Sequence, residues 1–423
     1  MRLNRRELLA SAGALAAAAA LPGRGFAQSD ASGSLKLAGF GGDAETAAIT
    51  HAIARFNKKY PNVHVDLQMD VISTGWGDYV TKVLGQFTAG EAADVYGTAI
   101  ETFQAFASRN LWMPLDDYVK ANPGFSDFAP SLFELSSYKG KITYMPITWN
   151  NIMVNYNQDL FDKAGVAYPK PGWTWDEFRD VAKKLTIKDA SGNVTQYGYE
   201  VPNQNFFVQP WFLTNGTSPL NADWTGSNMT DPKVAESLQF LHDLIHVDGV
   251  SPIPGNDTMD NQFFAGQVAM ISRGHWIVQG CKDNNVKLDV VGPAAKSSPT
   301  TVLGFGGYAI NKDTKNAELA QALVTELTSQ ETQTEEGDGG GGVPGRKSAL
   351  SHAFMSFPPS AARYYDTLAD VKAVPSPANF QEVEKIFIRY YTAMMADEVS
   401  IADGCKQAHD ELNASFARLK SQA

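Results

Sequence analysis

Residues 141–166, KITYMPITWNNIMVNYNQDLFDKAGV, constrain the fold more than any other stretch. A short apolar run ends at Pro146, polar side chains follow at Thr148, Asn150 and Asn151, and a second apolar run leads through Tyr156-Asn157 into a helix. Proline has no N–H to give to a ladder and demotes a strand that passes through it, so the segment predicts two strands with a polar crossing between them. A chain crosses in this way when it leaves one lobe for another, and a small ligand can sit against such a crossing.

Upstream, Leu35 to Phe40 reads as a strand that Gly41, Gly42 and Asp43 turn into a helix over about 44–60, and Val63, Val65 and Leu67 alternate as a second strand does. The spacing predicts helices over 76–87 and 102–108 with a short strand at 94–96 between them. Strands alternating with helices make an α/β chain with a mostly parallel sheet and right-handed crossovers. Such sheets hold ligands outside the carboxyl ends of their strands, which points to the turns 41–43 and 97–101. Downstream, Thr174 with Glu177 three residues on forms a capping box for a helix, and 232–247 has helical spacing. A strand ending at Ile271, a helix beginning near Trp276, a strand over 286–291, and a strand and long helix from Gly304 follow. The glycine-rich EEGDGGGGVPGRKSAL reads as an irregular return crossing between lobes, and 381–419 as two more helices.

Length and charge narrow the function. A chain of 423 residues with 43% apolar content can bury two or three cores. The first 27 residues carry Arg5-Arg6, an apolar run from Leu8 to Leu21 and the small residues Gly25 and Ala27, the pattern of a twin-arginine signal peptide. No cysteine stands at the cut, so the expected mature chain begins near Gln28, is soluble and lies in the periplasm. The net charge of −11 disfavours a nucleic-acid partner, which needs a basic face. The two cysteines, Cys281 and Cys405, either pair in an oxidising compartment or stand as two buried thiols.

Five motifs stand in order: PITWNNIMVNYNQDLFDKAG, PGWTWDEFRDVAKKL, FFAGQVAMISRGHW, GFGGYAINKDTKNAELA and VPGRKSAL. Together they resemble the bacterial extracellular solute-binding proteins of family 1, the maltose-binding-protein-like receptors of ABC importers. Met153 and Asn155 depart from the small and the apolar residue more usual there, which bears on local packing. The resemblance implies an α/β, two-lobed periplasmic binding protein fold with a hinge and an interlobe cleft. Lobe one would hold residues 29–148 and 297–342, and lobe two 149–296 and 343–423. It also implies a monomer that hands one sugar to a membrane permease, with no cofactor, metal or catalytic residue.

The candidate binding residues combine that resemblance with sugar chemistry, in which an aromatic face covers the apolar face of a pyranose and polar groups take its hydroxyls. Trp276 follows Gly274 at a helix start and matches the family's stacking ring; the bland alternative is a core tryptophan. Trp149 and Asn150 match family positions that reach the ligand, though the tryptophan could instead pack the hinge. Gly42, Asp43 and Glu101 sit at expected strand ends, where a carboxylate accepts from hydroxyls or, as Asp43 could, caps a helix. Gly306 and Gly307 resemble the family's close backbone approach; no lysine-serine pair follows them, as a phosphate loop requires. Asn205 and Trp211 belong to the lobe-two region that tends to contact solute, and Phe380 matches an aromatic border of the site. Arg346, if it faces the cleft, argues for an anionic group on the ligand; otherwise it is a surface charge or a salt bridge between lobes.

Other readings stay open. A receptor for a polyol or peptide needs the same fold. A glycoside hydrolase needs two facing carboxylates, a role for which Asp43 and Glu101 could be mistaken. The tandem tyrosines Tyr364-Tyr365 and Tyr390-Tyr391 raise ferric iron as a ligand.

Overall fold

The computed structural model describes residues 30–70, 76–255 and 259–422. The expected leader over residues 1–27 lies outside them. Two sheets organise the chain. The larger contains β1 (Ser32–Phe40), β2 (Asn62–Asp70), β3 (Val95–Ala99), β6 (Met145–Asn151), β12 (Thr301–Ile310) and β13 (Val343–Pro344) in the order β13-β6-β12-β3-β1-β2, with β14 (Val371–Ala373) added alongside β12. The smaller contains β7 (Met153–Asn157) between β10 (Met270–Arg273) and β11 (Leu288–Val291). Two short hairpins, β4 (Ser137–Tyr138) with β5 (Lys141–Ile142) and β8 (Ile187–Lys188) with β9 (Val194–Gln196), lie apart from both.

The larger sheet is mixed, where the alternation of strands and helices predicts a mostly parallel one. β1 runs parallel to β2 and β3, but β12 enters antiparallel to both β3 and β6. The cause is connectivity: β12 arrives from the smaller sheet and needs no crossover helix to lie between strands of the first lobe. One apolar layer, with Leu35, Leu37, Phe56, Val95, Ile310 and Leu323, covers one side of this sheet. A second, with Phe103, Phe106, Trp112, Tyr144 and Phe305, covers the other and continues through Met153 and Val290 of the smaller sheet. The second lobe has its own core around Phe161, Phe178, Trp211, Leu241, Phe387 and Phe416.

The pivotal stretch forms two strands, but Pro146 does not break the first. It stands second in β6, beyond the two residues that pair with β13, so its missing N–H leaves no ladder bond open on that side. The polar residues Thr148, Asn150 and Asn151 are part of β6, and the chain passes to the smaller sheet at Ile152. Asn155 is buried in β7 because its Nδ2 donates to the Met153 and Arg273 carbonyls at 3.1 and 2.9 Å. Thr174 and Glu177 close the expected capping box: Oγ1 of Thr174 accepts from the Glu177 N–H at 3.2 Å, and Oε2 of Glu177 accepts from the Thr174 N–H at 2.7 Å. The glycine-rich stretch is more regular than its composition predicts, since the helix Gln330–Asp338 runs through its first residues before Gly340 (φ +89°) turns the chain into β13. Cys281 and Cys405 are buried free thiols.

Candidate functional site

A cavity of about 470 Å³ opens where elements of both lobes meet. Strand ends and helix starts supply its wall. Phe40, Gly41 and Gly42 come from the end of β1, Gly97, Ala99 and Glu101 from the end of β3, Thr148 and Asn150 from β6, and residues 304–308 from β12. The other side is made by residues 204–207 at the start of the helix Asn205–Leu213, by Trp276, and by Phe380 and Glu384 of the helix Phe380–Met395. The cavity opens beyond the carboxyl ends of β1 and β3, the place where open α/β sheets hold ligands.

Eight of the twelve candidate residues line this cavity: Gly42, Glu101, Asn150, Asn205, Trp276, Gly306, Gly307 and Phe380. Trp276 lies against Phe207, with ring centroids 5.7 Å apart and planes at 27°, and beside Phe206 at 6.3 Å, so three rings form one aromatic wall. Gly274 makes room for it: a Cβ there would stand 2.1 Å from the indole. Asn150 Oδ1 accepts from the His275 N–H at 2.9 Å and thereby ties β6 to the turn that carries Trp276. A Cβ on Gly307 would stand 2.0 Å from the Met145 carbonyl oxygen, and one on Gly304 would stand 2.8 Å from the Phe206 ring, so both glycines permit close approach.

Four candidates do not line it. Trp149 is 1% exposed and packs edge-on against Tyr365 at 5.4 Å. Side chains alternate along a strand, so Asn150 facing the cavity turns Trp149 to the opposite face. Trp211 belongs to the second lobe's core, 5.0 Å from Phe178, with its Nε1 donating to the Tyr199 hydroxyl at 3.2 Å. Asp43 is the exposed first residue of the helix Asp43–Lys59, and Glu45, two residues on in the same turn, lines the cavity instead, accepting from the Gly42 N–H at 2.9 Å. Arg346 is held away from the cavity, donating to the Thr328 carbonyl at 2.8 Å and the Gly124 carbonyl at 2.6 Å with its guanidinium 4.4 Å from the Phe128 ring. The reason to expect an anionic ligand goes with it.

The residues that sequence reasoning missed are mainly acids and rings. Glu45, Glu336 and Glu384 join Glu101 in the lining, with Phe40, Trp76, Phe206, Phe207, Phe305 and Tyr308. Burial pushes the Glu101 carboxyl up to about 8, with the charge of Glu384 adding to the effect. Burial likewise pushes Glu384 up to about 7, and holds Glu336 well above the ordinary carboxylate range with Glu45 adding to it. The only signal for these acids in the sequence was Glu45, which stands three residues after a glycine N-cap, the spacing of a capping glutamate. The tandem tyrosines lie outside the lining: Tyr365 donates to the Pro344 carbonyl at 2.5 Å, Tyr391 to the Pro202 carbonyl at 2.7 Å and Tyr390 to Glu411 at 3.0 Å, while Tyr364 is buried in the core. Among the described residues one trio, His242, His246 and Asp397, comes together as potential metal ligands, and none of the three lines the cavity.

Such a pocket can hold a molecule with flat apolar faces and polar edges. Its rings offer stacking area, while Thr148, Asn150, Asn205 and the carboxyl groups offer hydrogen bonds.

The family model for bacterial extracellular solute-binding proteins matches residues 51–363. Among solved structures, an ABC substrate-binding protein of Listeria monocytogenes in complex with cycloalternan is similar, with a TM-score of 0.82 and 24% identity over 92% of this chain and 100% of that one. An ABC transporter solute-binding protein of Thermotoga lettingae bound with α-D-tagatose has a TM-score of 0.79 at 22% identity, covering 91% of this chain and 100% of that one. A maltotriose-binding protein of Pyrococcus abyssi is 22% identical over 202 residues, which is 48% of this chain and 42% of that protein. These likenesses agree with the two lobes and the cleft between them. No described helix is long and apolar enough to cross a membrane. The chain is a member of the bacterial extracellular solute-binding protein family.

Proposed function

We propose that this protein is the substrate-binding component of an ABC importer, that it holds a mono- or oligosaccharide or a glycoside in the interlobe cleft, and that it delivers this ligand unchanged to a membrane permease. The observation that carries the reading is the wall formed by Trp276, Phe206 and Phe207 facing a pocket edged with side-chain amides and carboxyl groups. A pyranose presents C–H faces to such rings and hydroxyls to such edges. The complexes of similar proteins with cycloalternan and tagatose support the same ligand class.

Working as a periplasmic monomer exported by its twin-arginine leader, the protein catalyses nothing, and a sugar incubated with it for hours comes back chemically intact. We place the lobe crossings at Ile152, between Val291 and Thr301, and after β14, which assigns the strands of the larger sheet to lobe one and those of the smaller sheet to lobe two. Contacts made by both lobes exist only in the closed form, so the ligand shifts the open-closed balance by that difference in affinity.

A thermal-shift screen of sugars, amino sugars, sugar acids, polyols and peptides tests the ligand class, because a tight ligand raises the melting temperature by mass action. With a hit in hand, Trp276→Ala should weaken binding by at least about tenfold in calorimetry, the scale of one lost stacking contact. Unchanged affinity would remove Trp276 from the site, and a screen answered by peptides alone would overturn the saccharide reading.

A further inference from the structure

Among the described residues, the cavity is lined by four carboxyl groups and by no lysine or arginine. The acids fall into two couples. Glu101, at the start of the helix Ile100–Ala107, feels the charge of Glu384, and Glu336, near the end of the helix Gln330–Asp338, feels that of Glu45. Glu101 is 6% exposed and Glu336 3%, so both belong to the interior surface of the cleft.

Their partners inside the protein are sparse. Glu45 accepts from the Gly42 N–H at 2.9 Å, Glu336 is 3.5 Å from the Thr148 hydroxyl, and Glu384 accepts from the Gly77 backbone. Among the described residues, Glu101 accepts from its own backbone amide alone, and its charge is coupled to the carboxyl of Glu384 and the Tyr144 hydroxyl. Lys385, which eases the charge on Glu384, is exposed and lies 3.8 Å from Asp78. Elsewhere this protein pairs a buried acid with a base: Glu200 receives Arg273 at 2.6 Å and Glu326 receives Lys59.

A buried carboxyl group without a cation is held protonated or must find its partner from outside. A ligand that was neutral at every position would use these acids only as hydroxyl acceptors, for which amides serve without like-charge repulsion. The rings beside them, Trp76, Phe40 and Trp276, present the electron-rich faces that attract an ammonium group.

We propose that the ligand carries a basic nitrogen, as in an amino sugar or an aminoglycoside, and that Glu101 and Glu384 receive its ammonium group. This rests on the saccharide-receptor reading above and narrows it. When the ammonium enters, Glu101 gives up its proton to solvent and becomes the carboxylate of the new ion pair, so binding releases a proton and the ammonium offsets the negative charge that Glu101 and Glu384 share.

Matched ligands provide the test. The β-1,4-linked glucosamine disaccharide is compared at pH 7 with cellobiose and with the N-acetylated disaccharide, and the monosaccharides glucosamine and galactosamine with glucose and galactose, by thermal shift and calorimetry. In at least one of these sets the amine should bind at least about tenfold tighter than its neutral counterparts, the scale of one desolvated charge contact. Calorimetry in two buffers of different ionisation heat should report proton release for the amine and none for the neutral sugar. Glu101→Gln, nearly isosteric, should bring that preference to within about twofold, while Glu382→Gln, an acid outside the cavity, should leave it unchanged.

Neutral members binding as tightly as amines, or a preference that survives Glu101→Gln, overturns the proposal and leaves the sugar-receptor reading standing. Binding of spermidine in place of every sugar keeps the cation and overturns the saccharide reading. Binding by none of these compounds overturns both.

Discussion

Burial holds Glu101 near 8, against an ordinary glutamate value of 4.5, and that difference makes the stability of the ligand-free protein depend on pH. Between those two values the folded chain binds a proton that the unfolded chain has already lost. The stabilisation is complete below the unfolded value and is lost as pH rises through about 8, and Glu384 acts in the same direction up to about 7. The slope is at most about 1.4 kcal/mol per pH unit for each group. The melting temperature of the wild type should therefore fall between pH 5 and pH 9 by more than that of Glu101→Gln. Superimposable melting profiles would mean that Glu101 is solvated in the free protein. How visible such residues are in a sequence differs sharply from one to the next. Trp276 could be read because a glycine two residues earlier and a helix just after it mark a ring with room to project. Glu101 could be read from its place at a strand end. Glu336 and Glu384 could not, because each sits inside an unremarkable helical stretch and becomes special only through what packs over it. Trp149 is the reverse case: residues 148–151 read as a polar crossing, and only their pairing as part of β6 turns Trp149 away from the face that Asn150 gives to the cavity.

Phe207 connects the cavity to the interior of the second lobe. Its ring lies against Trp276, with centroids 5.7 Å apart, and the guanidinium of Arg273 stands 4.6 Å from its centroid. Arg273 is 1% exposed, with Nη2 on Glu200 at 2.6 Å and Nε on Asp260 at 2.7 Å, so it joins β10 to the segment at Glu200 and to the helix Asp260–Phe264. The His275 ring, stacked on Phe354 at 4.5 Å and kept neutral by burial that pushes it down to about 3, fixes the turn between β10 and Trp276. The aromatic wall is thus a layered assembly whose inner layer is ionic. Arg273→Met would keep much of the apolar stem and leave Glu200 buried without its cation, which costs on the order of 3–5 kcal/mol. Chemical denaturation should report a loss of that size, while Lys287→Met, which breaks the exposed pair with Asp159, should leave the denaturation midpoint close to that of the wild type. Equal losses from the two changes would show that Arg273 contributes no more than a surface charge. Elements of this kind were partly legible. The capping box at Thr174 and the final two helices carry local signals, whereas Pro146 misled because a proline breaks a strand only where a neighbour needs its N–H, and the neighbour is not local.

No window of the sequence contains the cavity. Its wall draws on residues near positions 41, 100, 149, 205, 276, 306, 338 and 382, brought together because β12 returns from the second lobe to lie between β3 and β6. That insertion is a long-range pairing, and it explains why the two-lobed architecture was available through ordered motifs while the set of lining acids was not. It also makes the two lobes mechanically coupled. The helix Phe380–Met395 gives Phe380 and Glu384 to the cavity and packs on the helix Trp76–Ala89 of the first lobe, where a Cβ on Gly77 would stand 3.3 Å from Gln381. Asn150 adds the second tie through the His275 N–H. Ligand bound between these ties gains contacts from both sides only when the cleft is shut, so the closed population rises with occupancy. Small-angle scattering should show a smaller radius of gyration at saturating ligand than in its absence. Asn150→Ala, which loses one tie, should enlarge the radius of the free protein and weaken binding, with the radius at saturation returning to the wild-type value. A radius that stays the same with and without ligand in both proteins would mean that the cleft fills without moving, and hinge closure would then play no part in what this receptor presents to its permease.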